Sequence, residues 1–233
     1  PDSSINSRLS AIRKLARELA DNGVIAESIL APILRIESIK RHGTKTGNWL
    51  SEEQAKAMIA AADTDTLVGK RDRALMAVML GCGLRREELT LLTVEHLQQR
   101  DGRWVILDLE GKHNRVRTVP MAAWVKSTID VWTSAAGIDA FYLFPPMRKG
   151  GKIMPGHMSA QAIWKVVKRY APVDDLAPHD MRRSFAKMSF KNGAPLEQIQ
   201  FSLGHASIQT TEKYVGADLD LQHAPSDCIP SLM

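Results

Sequence analysis

The stretch from Lys70 to Gly81 reads as a helix with apolar residues on most of its faces, and such a helix is stable only when other elements surround it. That places it at the centre of the core. Most of what flanks it is helical as well. Leu9, Ile12, Leu15, Ala16 and Leu19 recur at helical spacing between Ile5 and Asn22, and a second, shorter helical stretch runs from Ala26 to about Ile36. Ser51-Glu52-Glu53-Gln54 has the form of a capping box and opens a helix to about Ala62. Leu84 to about Leu92 continues beyond the central helix as another. Further helices are predicted over 122–135, 159–170 and 178–191, with short helical pieces between Pro195 and Tyr214. One region breaks this period. Residues 103–109 and 115–120 are strand-like, with Glu110-Gly111-Lys112-His113-Asn114 as the turn between them. The expected fold class is therefore mainly α with a small antiparallel β-sheet (α+β).

Lys40-Arg41-His42-Gly43-Thr44-Lys45-Thr46-Gly47-Asn48 is polar, basic and punctuated by glycine, the composition of a linker. The forty or so residues ahead of it are too few to form a stable domain alone. They are expected to be the end of a domain whose beginning lies outside this chain. The resulting division is 1–42 for that remnant, 43–50 for the linker, 51–220 for the main domain and 221–233 for a tail. The 233 residues, 44% of them hydrophobic, are ample for a packed core. No apolar run reaches the roughly 18 residues of a membrane span, and no signal-peptide pattern opens the chain. Cys82 and Cys228 are the only cysteines, which leaves no disulfide framework and no zinc spacing. A reducing cytoplasm, with no membrane partner, is the simplest expectation.

The net charge of +5 is modest, but its distribution is uneven. Between Asp139 and Asp174 there is no acidic residue, while Arg148, Lys149, Lys152, Lys165, Lys168 and Arg169 fall inside. A long stretch of one sign suggests a surface facing a polyanion. It is equally consistent with a solvated basic loop and helix.

Certain residues carry chemistry suited to phosphate. Arginine offers a planar fork of donors that matches phosphate oxygens in pairs, histidine passes protons near neutral pH, and tyrosine can act as a covalent nucleophile. Arg85 and Glu88 are three apart on a predicted helix, so the carboxylate could orient the guanidinium; the alternative is a surface ion pair of little worth. His179 and Arg182 show the same spacing just after Pro178, at a helix start whose amides and dipole favour anions. His205 follows Gly204 in a turn leading to Ser207, a plausible N-cap. Among the tyrosines, Tyr142 lies in an apolar run and reads as core, Tyr170 ends a basic helix, and Tyr214 lies on a polar helix where its hydroxyl could reach a groove. Lys112, at the hairpin tip, is by default an exposed lysine that could also deliver a proton to a leaving oxygen. The tryptophans read as core or interface anchors.

Taken in chain order, these signals form a succession: Gly-Leu-Arg-x-x-Glu-Leu at 83–89, the hairpin lysine, His-x-x-Arg at 179–182, Leu-Gly-His at 203–205 and Thr-Thr-x-x-Tyr at 210–214. It resembles the catalytic domain of tyrosine recombinases, the phage integrase family, over roughly residues 50 to 220. The resemblance implies the catalytic-domain fold of that family. It also implies a site-specific recombinase that cuts and rejoins DNA through a 3′-phosphotyrosyl intermediate, in the setting of DNA integration and mobile genetic elements. Arg85 and Arg182 match the phosphate-clamping arginines, Lys112 the hairpin lysine, His179 and His205 the two histidines, Tyr214 the nucleophile and Glu88 the supporting carboxylate. The first stretch resembles the end of the core-binding domain.

The implied partners are double-stranded DNA and, on paired DNA sites, a homotetramer that is monomeric when free. Arg148, Lys149, Lys152, Lys165, Lys168, Arg169 and Lys45 are expected to touch DNA. No cofactor or metal is expected, and the location is cytoplasmic, near the nucleoid. Two rivals stand beside this reading: a type IB topoisomerase-like enzyme and a non-catalytic DNA-binding module. The core-binding remnant and the short spacing from Leu-Gly-His to tyrosine favour a recombinase over the first. The complete set of residues disfavours the second.

Overall fold

The computed structural model describes residues 2–39, 48–111, 115–148 and 150–216, which divide into two units at Thr46. Lys45, Lys112 and Lys149, the linker and the tail lie outside these residues or mostly so. In the first unit, helices α1 (Asp2–Asp21) and α2 (Glu27–Arg35) pack on each other. Asn6 ties to the backbone of Ile39 through both its amide groups, at 3.0 and 2.9 Å, and Arg13 donates to Ser38 and to the carbonyl of Ile36. Ala16 and Leu30 are buried, whereas Ile5, Ile12, Leu15 and Ile29 stay exposed. Two helices cannot close a core around their own apolar faces.

The second unit is built around α4 (Leu67–Cys82), as its sequence requires. Its residues from Ala74 to Met79 have no exposed surface. Helices α3 (Glu52–Ala60), α5 (Arg86–Thr90), α6 (Ala123–Ala136) and α8 (Pro178–Lys191) all pack against it. The Ser51 capping box that opens α3 is formed by Ser51 and Gln54 as the sequence predicts. Trp132 of α6 is fully buried and its indole N–H donates to the Leu143 carbonyl at 2.8 Å. Asp72, also fully buried, accepts from Arg71 at 2.7 and 2.9 Å and from the hydroxyl of Tyr170 at 3.2 Å, which fastens α4 to α7 (Ala160–Tyr170).

The sheet is antiparallel, in the order β1 (Leu97–Arg100), β2 (Arg103–Gly111), β3 (Arg115–Pro120), and lies between α5 and α6 in the chain. Leu97 faces Ile106 across the first pair, and Glu110 faces Val116 across the second. A register shift between Ile106 and Leu109 coincides with Asp108 at φ 52, a bulge that twists the end of the hairpin. Helix α9 (Leu196–Leu203) rests on β3, and α10 (Ile208–Val215) rests on α8 and α9. A second, smaller apolar cluster of Ala186, Ile199, Leu203 and Val215 underlies these last helices.

Three sequence expectations change here. The helix after the central one is only Arg86–Thr90, not 84–92, because Gly83 turns left-handed at φ 63 and Arg85 is extended at ψ 153. Strand β1 was not expected at all. Tyr142, read as core, is only half-buried and meets His157 in a tilted ring contact, while its neighbour Phe141 points outward at 78% exposure.

Gly69 is the tightest packing point of α4, since a Cβ there would stand 1.7 Å from the carbonyl oxygen of Asp63. Gly69→Ala should therefore cost about 3 kcal/mol as the 62–66 turn is pushed off the helix. The midpoint of urea unfolding measures this, and an unchanged midpoint would refute the packing argument.

Candidate active site

Three chain turns bring the site together. The first is the left-handed glycine that ends α4. It sends the chain into Arg85, whose extended backbone starts α5. Arg85 therefore does not share a helical face with Glu88 but caps the helix that Glu88 belongs to. The Glu88 carboxylate accepts from the Arg85 amide at 2.7 Å and from its guanidinium at 2.6 Å. Glu88 is 5% exposed, which removes the surface ion-pair alternative.

The second turn is the start of α8, where Pro178 occupies the first helical position and Asp180 caps the Ala177 amide at 2.9 Å. Pro and an acceptor at these positions are what a helix start favours. His179 and Arg182 follow on this first turn. Arg182 has no exposed surface, and its guanidinium donates to the Gly83 carbonyl at 2.7 Å and to the Leu203 carbonyl. The side chain thus pins the end of α4 to the end of α9. Its Nε, also buried, has no hydrogen-bond partner among the described residues.

The third turn is Gly204, left-handed at φ 63, which ends α9 and delivers His205. Thr211, fully buried, places its Oγ1 2.9 Å from His205 Nδ1, which leaves Nε2 as the nitrogen not engaged by Thr211. Ser207 caps α10 as expected, and about two turns later comes Tyr214. Its hydroxyl is 2.5 Å from His179 Nε2, its ring lies 4.7 Å from that of His205, and the Arg183 guanidinium sits 5.5 Å from the ring centre.

Arg85, Glu88, His179, Arg182, His205 and Tyr214, spread over some 130 positions, therefore converge. Two grooves flank Arg85. One, of 370 Å³, is lined by Arg86, Trp164, His179 and Arg182, and the other, of 360 Å³, by Arg117, Thr118, Gln200 and His205. Lys112 lies outside the described residues. Of the expected DNA contacts, Arg148, Lys152 and Lys165 are exposed and Lys168 half-buried. Arg169 reaches back to Asp72 at 3.3 Å, so its charge is shared with a buried carboxylate. Lys45 and Lys149 lie outside the described residues.

Sequence reasoning missed Arg117. From β3 it forks onto both oxygens of Glu88 at 2.9 and 2.8 Å, while its Nε donates to the Ser202 carbonyl at 2.8 Å. Nothing in the alternating Arg115-Val116-Arg117 run separates it from Arg115. Thr211, by contrast, stood in the quoted Thr-Thr-x-x-Tyr motif without being given a role.

The electrostatics follow from burial among arginines. Burial alone would raise the Glu88 carboxyl, but hydrogen bonds and charge from Arg117 and Arg85 outweigh it and hold the group below its usual range. Burial, then the charges of Arg183 and Arg182, lowers His179. Burial, then Arg182 and Arg85, lowers His205 to about 4. Burial and the nearby Arg85 lower Arg182 to about 9. Both histidines are accordingly neutral at pH 7, and Arg182 is charged. Among the described residues no group of three or more His, Cys, Asp or Glu is placed to hold a metal ion, and no helix is long and apolar enough to cross a membrane.

The model of the phage integrase family matches residues 48–219. The tyrosine recombinase XerD of Pseudomonas aeruginosa is 30% identical, over 93% of this chain and 74% of its own length. The XerD of Ralstonia nicotianae is 35% identical over 77% of this chain and 59% of its own. Among solved structures, XerA recombinase matches with a TM-score of 0.60 at 22% identity, covering 90% of this chain and 79% of its own. The Tn1549 transposon integrase in complex with circular intermediate DNA matches at 0.66 and 18% identity, covering 99% and 80%. The class these define is the site-specific recombinase of tyrosine type. The chain belongs to the phage integrase family.

Because His205 is less basic folded than its ordinary value of 6.5, the folded state binds fewer protons than the unfolded one between that value and about 4. Its contribution to stability is full above this window and is lost as pH falls through it. His205→Gln should therefore flatten the decline in melting temperature between about pH 7 and pH 4.5 relative to the parent. Parallel curves for the two proteins would contradict the shift.

Proposed function

We propose that Tyr214 is the nucleophile of this recombinase and that the neighbouring cations hold the scissile phosphate. The observation that carries the reading is the phenol of Tyr214 at 2.5 Å from His179 Nε2, although the two are far apart in sequence. A neutral imidazole at that distance is a competent base. The phenolic proton passes to His179 Nε2, the oxygen forms a bond to phosphorus, and the bond to the 5′-oxygen breaks. Lys112 gives that oxygen its proton. In the second half, a 5′-hydroxyl gives its proton back to Lys112 as its oxygen bonds to phosphorus, the phosphorus–phenol bond breaks, and His179 returns the proton to the departing phenol.

Between these states phosphorus carries five oxygens and additional negative charge. Arg85 and Arg182 bind the non-bridging oxygens more tightly there than in the ground state. His205 adds a third donor. When Thr211 Oγ1 donates to Nδ1, the ring proton resides on Nε2, which then points at the phosphate. Glu88 keeps Arg85 aimed. The bond energy stays in the phosphotyrosine, so strand exchange proceeds without a nucleotide cofactor.

Double-stranded DNA is the substrate. Arg148, Lys152 and Lys165 supply exposed charge for its backbone, a contact that positions a protein without reading sequence. Residues 1–42 serve as part of a core-binding domain that also contacts the duplex, and two duplexes are exchanged within a homotetramer.

Tyr214→Phe should bind DNA normally yet give no covalent protein–DNA adduct on a nicked suicide substrate, detected as a band stable to denaturation. An adduct from this variant would remove the nucleophile assignment. Arg182→Ala should lose about 3–4 kcal/mol of transition-state stabilisation, read as the single-turnover cleavage rate. A rate near that of the parent would show that Arg182 does not meet the phosphate.

A further inference from the structure

Arg117 stands outside every motif by which the site was read, yet its guanidinium joins separate parts of it. The side chain is 9% exposed, and its stem packs so closely on Gly204 that a Cβ there would meet Cδ at 3.0 Å. One edge of the fork holds both oxygens of Glu88, and Nε holds Ser202, three residues before His205. Arg117 also lies on β3, two residues beyond Arg115, which pairs with Gly111 at the base of the hairpin carrying Lys112.

The charge count around Glu88 gives this arrangement its meaning. One buried carboxylate faces two guanidinium groups. If Arg85 were its only partner, the two would form a neutral pair, and little of the Arg85 charge would remain for a phosphate. With Arg117 bound bidentately, the carboxylate is already neutralised, and the cluster keeps one positive charge on the side where Arg85 lines both grooves. The carboxylate still fixes the Arg85 backbone and guanidinium in place.

We propose that Arg117 is a positioning residue for strand cleavage: it neutralises Glu88 so that Arg85 stays available to the scissile phosphate, and it locks the His205 turn to the same point. This rests on the reading of Arg85 and Tyr214 given above. Arg117 itself touches no DNA in the reaction. Replacing it should therefore slow chemistry without weakening overall DNA binding, which depends on many backbone contacts.

The test uses the full chain and a nicked suicide duplex at saturating concentration. Arg117→Ala should lower the single-turnover rate on the order of 100-fold, the effect of a misplaced catalytic group, while the Kd for DNA stays within about threefold. The distinguishing measurement is the double variant Arg117→Ala with Glu88→Gln. Removing the carboxylate frees Arg85 again, so the double variant should cleave faster than Arg117→Ala alone, by about tenfold. A merely structural role predicts the opposite, since two buried partners would then be lost instead of one. If Arg117→Ala melts too low to assay, Arg117→Lys decides the matter. It keeps a charge beside Glu88 but loses the fork, and should be slowed by about tenfold at a parental melting temperature.

Parental rates for Arg117→Ala or Arg117→Lys would overturn the proposal, as would a double variant no faster than the single or losses that follow melting temperature alone. Tyr214→Phe runs beside them as a control. An adduct from that control would sink the underlying assignment of the nucleophile, whereas a dead control with unaffected Arg117 variants sinks only the positioning role.

Discussion

Glu88 is buried, and burial by itself would drive its carboxyl toward the neutral form; the guanidinium groups of Arg117 and Arg85 reverse that and keep it ionised. An ion cluster of this sort is costly to assemble and more costly to break, because removing one partner leaves the others unpaired in a poorly solvated place. The geometry of the site hangs from it. The start of α5, strand β3 and the carbonyl end of α9 all meet at this one carboxylate and the arginine that grips it. Burial, joined by the charges of neighbouring arginines, depresses His179 and His205, so the base and the donor of the proposed reaction are tuned by the packing and charge of the same cluster.

Arg182 does for the backbone what Glu88 does for the side chains. By donating to the carbonyls of Gly83 and Leu203 it joins the two left-handed glycine turns from which Arg85 and His205 emerge. Both glycines are also hemmed in: a Cβ at Gly83 would meet Phe185 at 2.5 Å, and one at Gly204 would meet Arg117. Their value is thus conformational and steric at once. A guanidinium proposed to bind phosphate that also satisfies helix-end carbonyls makes the candidate site part of the framework of the fold.

Much of this was legible from local pattern. The capping box at Ser51, the largely apolar second half of α4 and the boundaries of α8 follow from periodicity and cap chemistry, because these depend on residues within one or two turns. Elsewhere the deciding partner is remote. Leu97-Gln98-Gln99-Arg100 has no strand character of its own and becomes β1 only because β2 offers it a ladder. Phe141 lies in an apolar run and would be expected inside. Its amide is instead held by the carboxylate of Glu95 at 2.9 Å and its backbone sits at φ 62, which turns the ring outward. Arg169 looked like a free cation in a basic stretch, and only the approach of α4 brings Asp72 to it.

The sequence alone determined most of the helices, the β2–β3 hairpin that interrupts them, and which residue types, in which order, are equipped for phosphate chemistry. Those are short-range facts, written in spacing and turn residues. Only the tertiary structure decided that Arg85 precedes its helix, that Glu88 is buried, that Arg117 shares it, and that the Tyr214 hydroxyl reaches His179. Each of these joins groups from different elements, and an isolated arginine or carboxylate carries no mark of the partner that folding will bring to it.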